Sequence, residues 1–174
     1  LTLAWTLKSM TDSLGAAEYV SGVVASSASG LQMLLPAIIF IVAALLAFAT
    51  GTSWGTFGIL IPICIAVFPA AAPLRIISIS ACMAGAVCGD HISPISDTTI
   101  MASAGAECKH VHHVSSQLPY ALTVAAVSFL TFVVAGFTQQ LGVIASAAIS
   151  WIFGIAMIFS ALWILKRIGS RQPR

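Results

Sequence analysis

The twenty residues Leu31–Thr50 contain no charged side chain, and this run constrains the fold more than any other feature of the chain. A helix needs about 20 apolar residues to cross the hydrocarbon core of a bilayer, so the run predicts a transmembrane helix. The composition agrees, because 59% of the chain is apolar and only 7% is charged, whereas soluble domains carry about 25% charged residues. So few charges exclude a basic surface for nucleic acid. The chain is therefore predicted to be an all-α, polytopic membrane protein.

The remaining apolar runs are of two kinds. Residues 57–68 and 74–88 are too short to cross a bilayer as helices by themselves. They predict half-helices, re-entrant arms or continuations of neighbouring spans. Residues 117–137 and 142–165 are long enough to cross, and the short connection between them predicts a transmembrane helical hairpin.

This pattern divides the chain into five segments. They are a helix end with a connecting or interfacial segment at 1–30, an ion-site region at 31–106 with breaks at 51–56 and 89–99, a cytoplasmic loop at 107–116, the hairpin at 117–165, and a basic cytoplasmic tail at 166–174. Positive charges beside a span favour the cytoplasmic side, so the C-terminus of a multi-pass protein of the cell's inner (plasma) membrane is expected there. The tail contains Lys166, Arg167, Arg171 and Arg174. The chain opens on Leu1 without an initiator Met, which predicts a fragment of a longer protein.

The two breaks contain most of the polar chemistry. Non-helical backbone at membrane depth survives only where protein or a wet cavity satisfies its polar groups. The break at 51–56, GTSWGT, offers glycines and hydroxyls, and the break at 89–99, GDHISPISDTT, adds Pro94, Asp90 and Asp97. An aspartate in mid-membrane costs about 2.5–3.5 kcal/mol, which indicates a use for the pair. Carboxylates, hydroxyls and free carbonyls are ligands of hard cations, and a partly desolvated carboxyl group can exchange a proton for a cation.

Each break also has a plainer interpretation. Asp90 and Asp97 could be turn residues of an aqueous loop, and GTSWGT could be a packing motif of small residues, as G-x-x-x-G is. His91 is expected to form a hydrogen bond or an ion pair, and to modulate the proton affinity of the site, rather than to bind a metal.

The loop at 107–116 is rich in histidine. Together with Glu107 and Cys108, the residues His110, His112 and His113 look like a tract for a transition metal. In a short cytoplasmic loop, solvated polar residues or a pH-responsive patch are favoured over a metal site. The three histidines are therefore predicted to modulate transport.

At the two breaks the chain resembles the NhaC-type sodium/proton antiporter family of the ion-transporter superfamily. The matching segments are FATGTSWGTFGILIPI at 48–63 and GAVCGDHISPISDTTIMASAGAECKHVHHVSSQLPYAL at 85–122. The resemblance covers the whole chain and corresponds to the C-terminal half of such a protein, so one half of an inverted-repeat transporter is expected to be missing. It implies exchange of Na⁺ for H⁺ at a site made by interrupted helices, with Na⁺ at Asp90 and Asp97. Carried over by position, the ion- and proton-binding residues are Thr52, Ser53, Thr56, Asp90, Ser93, Ser96, Asp97, Thr98 and Thr99.

Three alternatives stay open. The family resemblance also admits exchangers that couple Na⁺ and H⁺ to small organic acids such as malate and lactate; these need a cationic anchor, for which Arg75 and His91 are the candidates. The chain could be a truncated, inactive fragment. A membrane-embedded hydrolase using Asp90, His91 and Asp97 lacks a nucleophile elbow or an H-E-x-x-H motif.

A carrier of this kind is not expected to be an enzyme. It needs no cofactor beyond the Na⁺ and H⁺ that it transports. Its expected partners are the lipid bilayer, the missing half of the same transporter and further copies in a homo-oligomer, with no nucleic acid.

Overall fold

The computed structural model describes residues 2–26 and 29–169. Within these ranges the chain folds into eight α-helices and a 3-10 turn, without a β-strand. The helices are α1 (Thr2–Ser13), α2 (Ala16–Ala25), α3 (Ser29–Thr50), α4 (Ser53–Val67), α5 (Pro73–Ile92), α6 (Asp97–Gly105), α7 (His110–Thr138) and α8 (Val143–Gly169), with the 3-10 turn Gln139–Leu141 before α8. Arg171 and Arg174 of the predicted basic tail lie outside the described residues.

Four of the described helices, α3, α5, α7 and α8, are long and apolar enough to cross a membrane. Helix α4 is apolar too, but its 15 residues span only about 22 Å, less than the hydrocarbon core of about 30 Å. The prediction of an all-α, polytopic membrane protein is confirmed.

Helices α3 and α5 pack closely and run in the same direction. Gly85 lies against the backbone of Phe40, and Gly89, one turn later, lies against the backbone of Ala44. A side chain at either glycine would overlap a carbonyl of α3, so the G-x-x-x-G spacing lets the two backbones touch. Because both contacts advance together along the two helices, the C-terminal ends of α3 and α5 meet. The two breaks that follow these ends are therefore brought together.

Helix α4 doubles back along α3. Its last residues, Val67 and the following Phe68, line an apolar cavity together with Leu35 and Ile38 near the beginning of α3. The chain reverses at Gly51, whose φ of +68° is readily adopted only by glycine. Helix α4 is thus a short returning arm rather than a continuation of α3.

Helix α7 runs antiparallel to α3 and α5. Gly136 near its end contacts the backbone of Met33, and Phe132 packs on Phe40 with ring centroids 5.6 Å apart. Helix α8 then returns along α7, where the hydroxyls of Thr138 and Ser146 lie 2.9 Å apart. The C-terminal end of α8 therefore lies at the same end of the bundle as the beginning of α7 and the two breaks.

The breaks are narrower than the sequence pattern indicated. Helix α5 continues to Ile92, so Asp90 and His91 lie in its last turn and only 93–96 is non-helical. Pro94 explains the stop, because a residue before proline is driven out of the α-helical region. The first break is confined to 51–52, since Thr52 caps the beginning of α4.

Two further stretches are more helical than expected. The predicted loop at 107–116 is helical from His110 onward, and most of the segment at 1–30 forms α1, α2 and the beginning of α3. Hydropathy alone does not detect such helix ends, because they are polar or only weakly apolar.

Candidate ion-binding site

The two breaks form one continuous site. The Ser93 hydroxyl donates to the carbonyl oxygen of Phe48, in the last turn of α3, over 2.8 Å. Gly51 lies directly against Ile95, where an added Cβ would stand 2.9 Å from the Ile95 carbonyl oxygen. Glycine is required at 51 both for this contact and for its positive φ. Motifs that are separate in sequence thus touch through their backbones.

Asp90 is the buried carboxylate of this site. Its side chain is 5% exposed, and its Oδ1 accepts a hydrogen bond from Ser96 Oγ over 2.6 Å. Ser96, itself fully buried, also caps α6 by accepting from the Thr98 amide over 3.2 Å. The serine therefore joins the end of α5 to the beginning of α6 across the break.

The hydrogen bonds continue from Ser96 to a third side chain. Ser96 Oγ and Thr98 Oγ1 lie 2.8 Å apart, and either hydroxyl can be the donor. An ionised carboxylate only accepts, so Ser96 must donate to Asp90 and accept from Thr98. A protonated Asp90 can donate, which allows the direction of both bonds to reverse. The chain Asp90–Ser96–Thr98 can therefore transmit the protonation state of the carboxyl group to Thr98, whose side chain is exposed.

The end of α5 is held by side chains from two other helices. The His91 carbonyl oxygen accepts from Thr99 Oγ1 and from Gln117 Nε2, both over 3.2 Å. These bonds satisfy a carbonyl that has no partner within its own helix. Polar ends satisfied in this way are what allow an interrupted helix to stay inside a membrane protein.

The His91 ring is bonded within its own helix. Its Nδ1 lies 3.0 Å from the Val87 carbonyl oxygen, and because a carbonyl only accepts, Nδ1 is the donor. The ring is exposed, so Nε2 is left to face the surroundings of the break.

Asp97 occupies a different environment from Asp90. It is the first residue of α6 and its side chain is exposed, where its negative charge favours the positive end of the helix dipole. The structure leaves it outside the chain Asp90–Ser96–Thr98. Its role as a Na⁺ ligand stays a prediction.

The hydroxyls of the first break are engaged with its backbone. Thr52 Oγ1 accepts from the Gly55 amide over 3.4 Å, and Thr56 Oγ1 donates to the Thr52 carbonyl over 3.1 Å. Ser53 and Thr56 are buried. The first break therefore contributes its backbone turn to the site, whereas the second contributes the carboxylate.

The three histidines at the beginning of α7 have three different environments. His110 bridges two elements, because its Nε2 donates to the Pro94 carbonyl over 2.7 Å and its Nδ1 lies 3.0 Å from Ser103 Oγ. His112 is exposed, and His113 is half-buried. In the part of the chain that the structure describes, no group of three or more His, Cys, Asp or Glu side chains is arranged to hold a metal ion.

Sequence reasoning missed two kinds of contributor. The G-x-x-x-G pair Gly85 and Gly89 was detectable from its spacing, but Gly85 stands inside an apolar run and only Gly89 belongs to the predicted polar break. Gln117 and the Phe48 carbonyl reach the site only through the packing of α3 and α7, so no local pattern marks them.

A buried carboxylate at the meeting point of interrupted helices, within a polytopic helical bundle, defines the class of secondary ion transporters. The chain belongs to the Na⁺/H⁺ antiporter family, whose model matches residues 1–137. Its resemblance to a sodium/proton antiporter family is thereby confirmed.

Relatives of this chain include antiporters of different substrates. An uncharacterized protein of Haemophilus influenzae is 47% identical over 154 residues, which is 87% of this chain and 29% of the relative. The malate-2H⁺/Na⁺-lactate antiporter of Bacillus subtilis is 33% identical over 62% of this chain and 24% of its own length. The arginine/ornithine antiporter ArcD of Halobacterium salinarum is 32% identical over 65% of this chain and 24% of its own length.

The chain thus spans less than a third of the length of each of these relatives. No solved structure matches it.

Proposed function

We propose that the protein exchanges Na⁺ for H⁺ across the membrane, and that the two ions compete for the carboxylate of Asp90. The observation that carries this proposal is the burial of Asp90 with Ser96 Oγ at 2.6 Å from its Oδ1. A buried aspartate without a cationic partner is costly, and a proton or a cation relieves that cost equally well. One carboxylate that alternates between the two ions is sufficient for antiport.

The oxygen atoms around Asp90 support a Na⁺ site. The hydroxyls of Ser93 and Ser96 lie in the break, and those of Thr98 and Thr99 lie in the first turn of α6 directly after it. Hydroxyl and carboxylate oxygens are the ligands that hard cations prefer. Asp97 is a second, weaker contributor, because its exposed charge is screened by water. Thr52, Ser53 and Thr56 support the site from the first break.

The charges at the helix ends support an orientation. Lys109, which precedes α7, and Lys166 and Arg167, in the last turns of α8, are exposed and belong to the end of the bundle that holds the breaks. By the positive-inside bias this end faces the cytoplasm of a cell-membrane protein. The Asp90 site then opens from the cytoplasmic side.

The test is titration calorimetry of Na⁺ with the intact purified protein at several pH values. Competition requires that the apparent Na⁺ affinity fall by up to tenfold per pH unit where the carboxyl group is protonated. Asp90→Asn should lose both Na⁺ binding and the pH dependence, whereas Asp90→Glu should keep a weaker form of each. Binding that ignores pH, or that survives unchanged in Asp90→Asn, would refute the competition.

A second candidate function is the exchange of small organic solutes together with Na⁺ and H⁺. Two relatives are named as antiporters of malate and lactate and of arginine and ornithine. Arg75 is not a suitable anchor at the Asp90 site, because it lies in the first turn of α5, about 24 Å from His91 along the helix. His91 stands at the break, and the structure adds His113 beside it, since both line one cleft.

A further inference from the structure

A polar cleft opens beside the Asp90 site between the end of α5, the beginning of α6 and α7. Its volume is about 230 Å³, and its lining consists of His91, Thr98, Thr99, Ala102, His113 and Gln117. Five of these six side chains carry polar atoms, in a chain whose other large cavities are lined mainly by apolar residues.

The cleft has hydrogen-bond donors to spare. Gln117 uses one of its two amide hydrogens on the His91 carbonyl and keeps the other, whereas the neutral His91 ring already donates from Nδ1 to the Val87 carbonyl and offers its Nε2 as an acceptor. Within the described part of the chain, the His113 ring has no hydrogen-bond partner. Donors that converge on one cleft without mutual satisfaction are suited to an anionic oxygen ligand.

The cleft lies beside Asp90, but the Asp90 side chain does not line it. No Asp or Glu is among the lining residues. Thr98 belongs to both places, because its hydroxyl bonds to Ser96, which bonds to Asp90. A ligand in the cleft and an ion at Asp90 would therefore both lie beside Thr98 and the residues bonded to it.

From this geometry we propose that the cleft binds the carboxylate group of a small organic acid or amino acid, with His113 as its principal anchor and Gln117 as a further donor. The inference deepens the proposed function and rests on it, since a carboxylate bound here is coupled through Thr98 to the ion site. A cleft of about 230 Å³ accommodates a molecule of only a few carbon atoms and leaves the longer part of an amino acid outside.

The test is titration calorimetry of the intact protein at one fixed pH, with L-malate, L-lactate, L-arginine and L-ornithine as separate probes. At least one probe should bind the wild-type protein. Binding of malate or lactate would identify the ligand as an organic acid, and binding of arginine or ornithine would identify it as a basic amino acid. His113→Leu should weaken that binding at least tenfold, because leucine is of similar size but has no hydrogen-bond donor. The matched control His112→Leu, at an exposed neighbour outside the cleft, should change it by less than twofold.

Na⁺ titration of the same samples separates the two proposals. His113→Leu should keep the wild-type Na⁺ affinity, which also reports correct folding. If that variant fails to fold, Ala102→Leu serves instead, because a larger apolar side chain in the cleft should weaken binding of the probe at least tenfold and spare Na⁺ binding. The cleft proposal is overturned if no probe binds, or if both cleft variants bind like the wild type. If a probe binds as expected but Na⁺ binding does not depend on pH, only the proposed role of Asp90 is overturned.

Discussion

Removal of the Ser96 hydroxyl is the most direct perturbation of the proposed site. In Ser96→Ala the Asp90 carboxylate loses the donor that lies 2.6 Å from its Oδ1, and no other side-chain donor to Asp90 is present among the described residues. Hydrogen bonds to charged groups contribute about 1.5–3 kcal/mol. The protonated carboxyl group also loses its bond to Ser96, which contributes about 0.5–1.5 kcal/mol, so the ionised form is disfavoured only by the difference of about 1–1.5 kcal/mol.

The free energy converts into a measurable change of Na⁺ affinity. Because about 1.4 kcal/mol is a factor of ten, the proton gains an advantage of about 5- to 12-fold over Na⁺. The half-saturating Na⁺ concentration should therefore rise by this factor at the acid end of the activity range, where the two ions compete. At the alkaline end it should rise much less, since few protons compete there.

Ser93→Ala is the matched control. Ser93 is equally buried and belongs to the same break, but its hydroxyl donates to the neutral Phe48 carbonyl. Its loss costs about 0.5–1.5 kcal/mol, and because Ser93 makes no bond to Asp90, any loss of Na⁺ affinity should be the same at every pH. The assay is Na⁺-driven proton movement in sealed proteoliposomes, followed with a pH-sensitive dye. If Ser93→Ala shifts the pH dependence as much as Ser96→Ala does, the assigned role of the Ser96–Asp90 bond is wrong.

Three further changes test the neighbourhood of the site. Asp97→Asn should raise the half-saturating Na⁺ concentration only about fivefold in the same assay, because an exposed charge contributes about 1 kcal/mol or less; complete loss of exchange would make Asp97 an essential ligand. His110→Gln should shift the pH at which exchange switches on, because it removes the ring that bridges the Pro94 carbonyl and Ser103; His112→Gln, at an exposed ring, should leave the pH profile in place. Gly89→Ala should lower the thermal midpoint, because a Cβ would overlap the Ala44 backbone, at a cost of about 1–3 kcal/mol; Gly58→Ala, in open space, should not.

Local features of the sequence predict most of the spanning helices, both breaks and the candidate ion-binding residues. Runs without charge predict the spans α3, α7 and α8, since crossing a bilayer depends on apolar composition and length, whereas α5 reaches spanning length only because it continues to Ile92. The polar strings at 51–56 and 89–99 mark the breaks, because glycine, proline and hydroxyl residues act on the backbone within a few positions. The choice of Asp90 and its neighbouring hydroxyls as candidates follows from the same strings.

Tertiary structure decided how those candidates are arranged. Packing of Gly85 and Gly89 on α3 brings the two breaks together, and it depends on the relative direction of two helices that no single segment encodes. The same packing buries Asp90 against Ser96 and leaves Asp97 exposed, although both carboxylates occur in one short string. Side chains far apart in the chain become neighbours only when whole helices pack, because their contacts depend on helix direction and rotation.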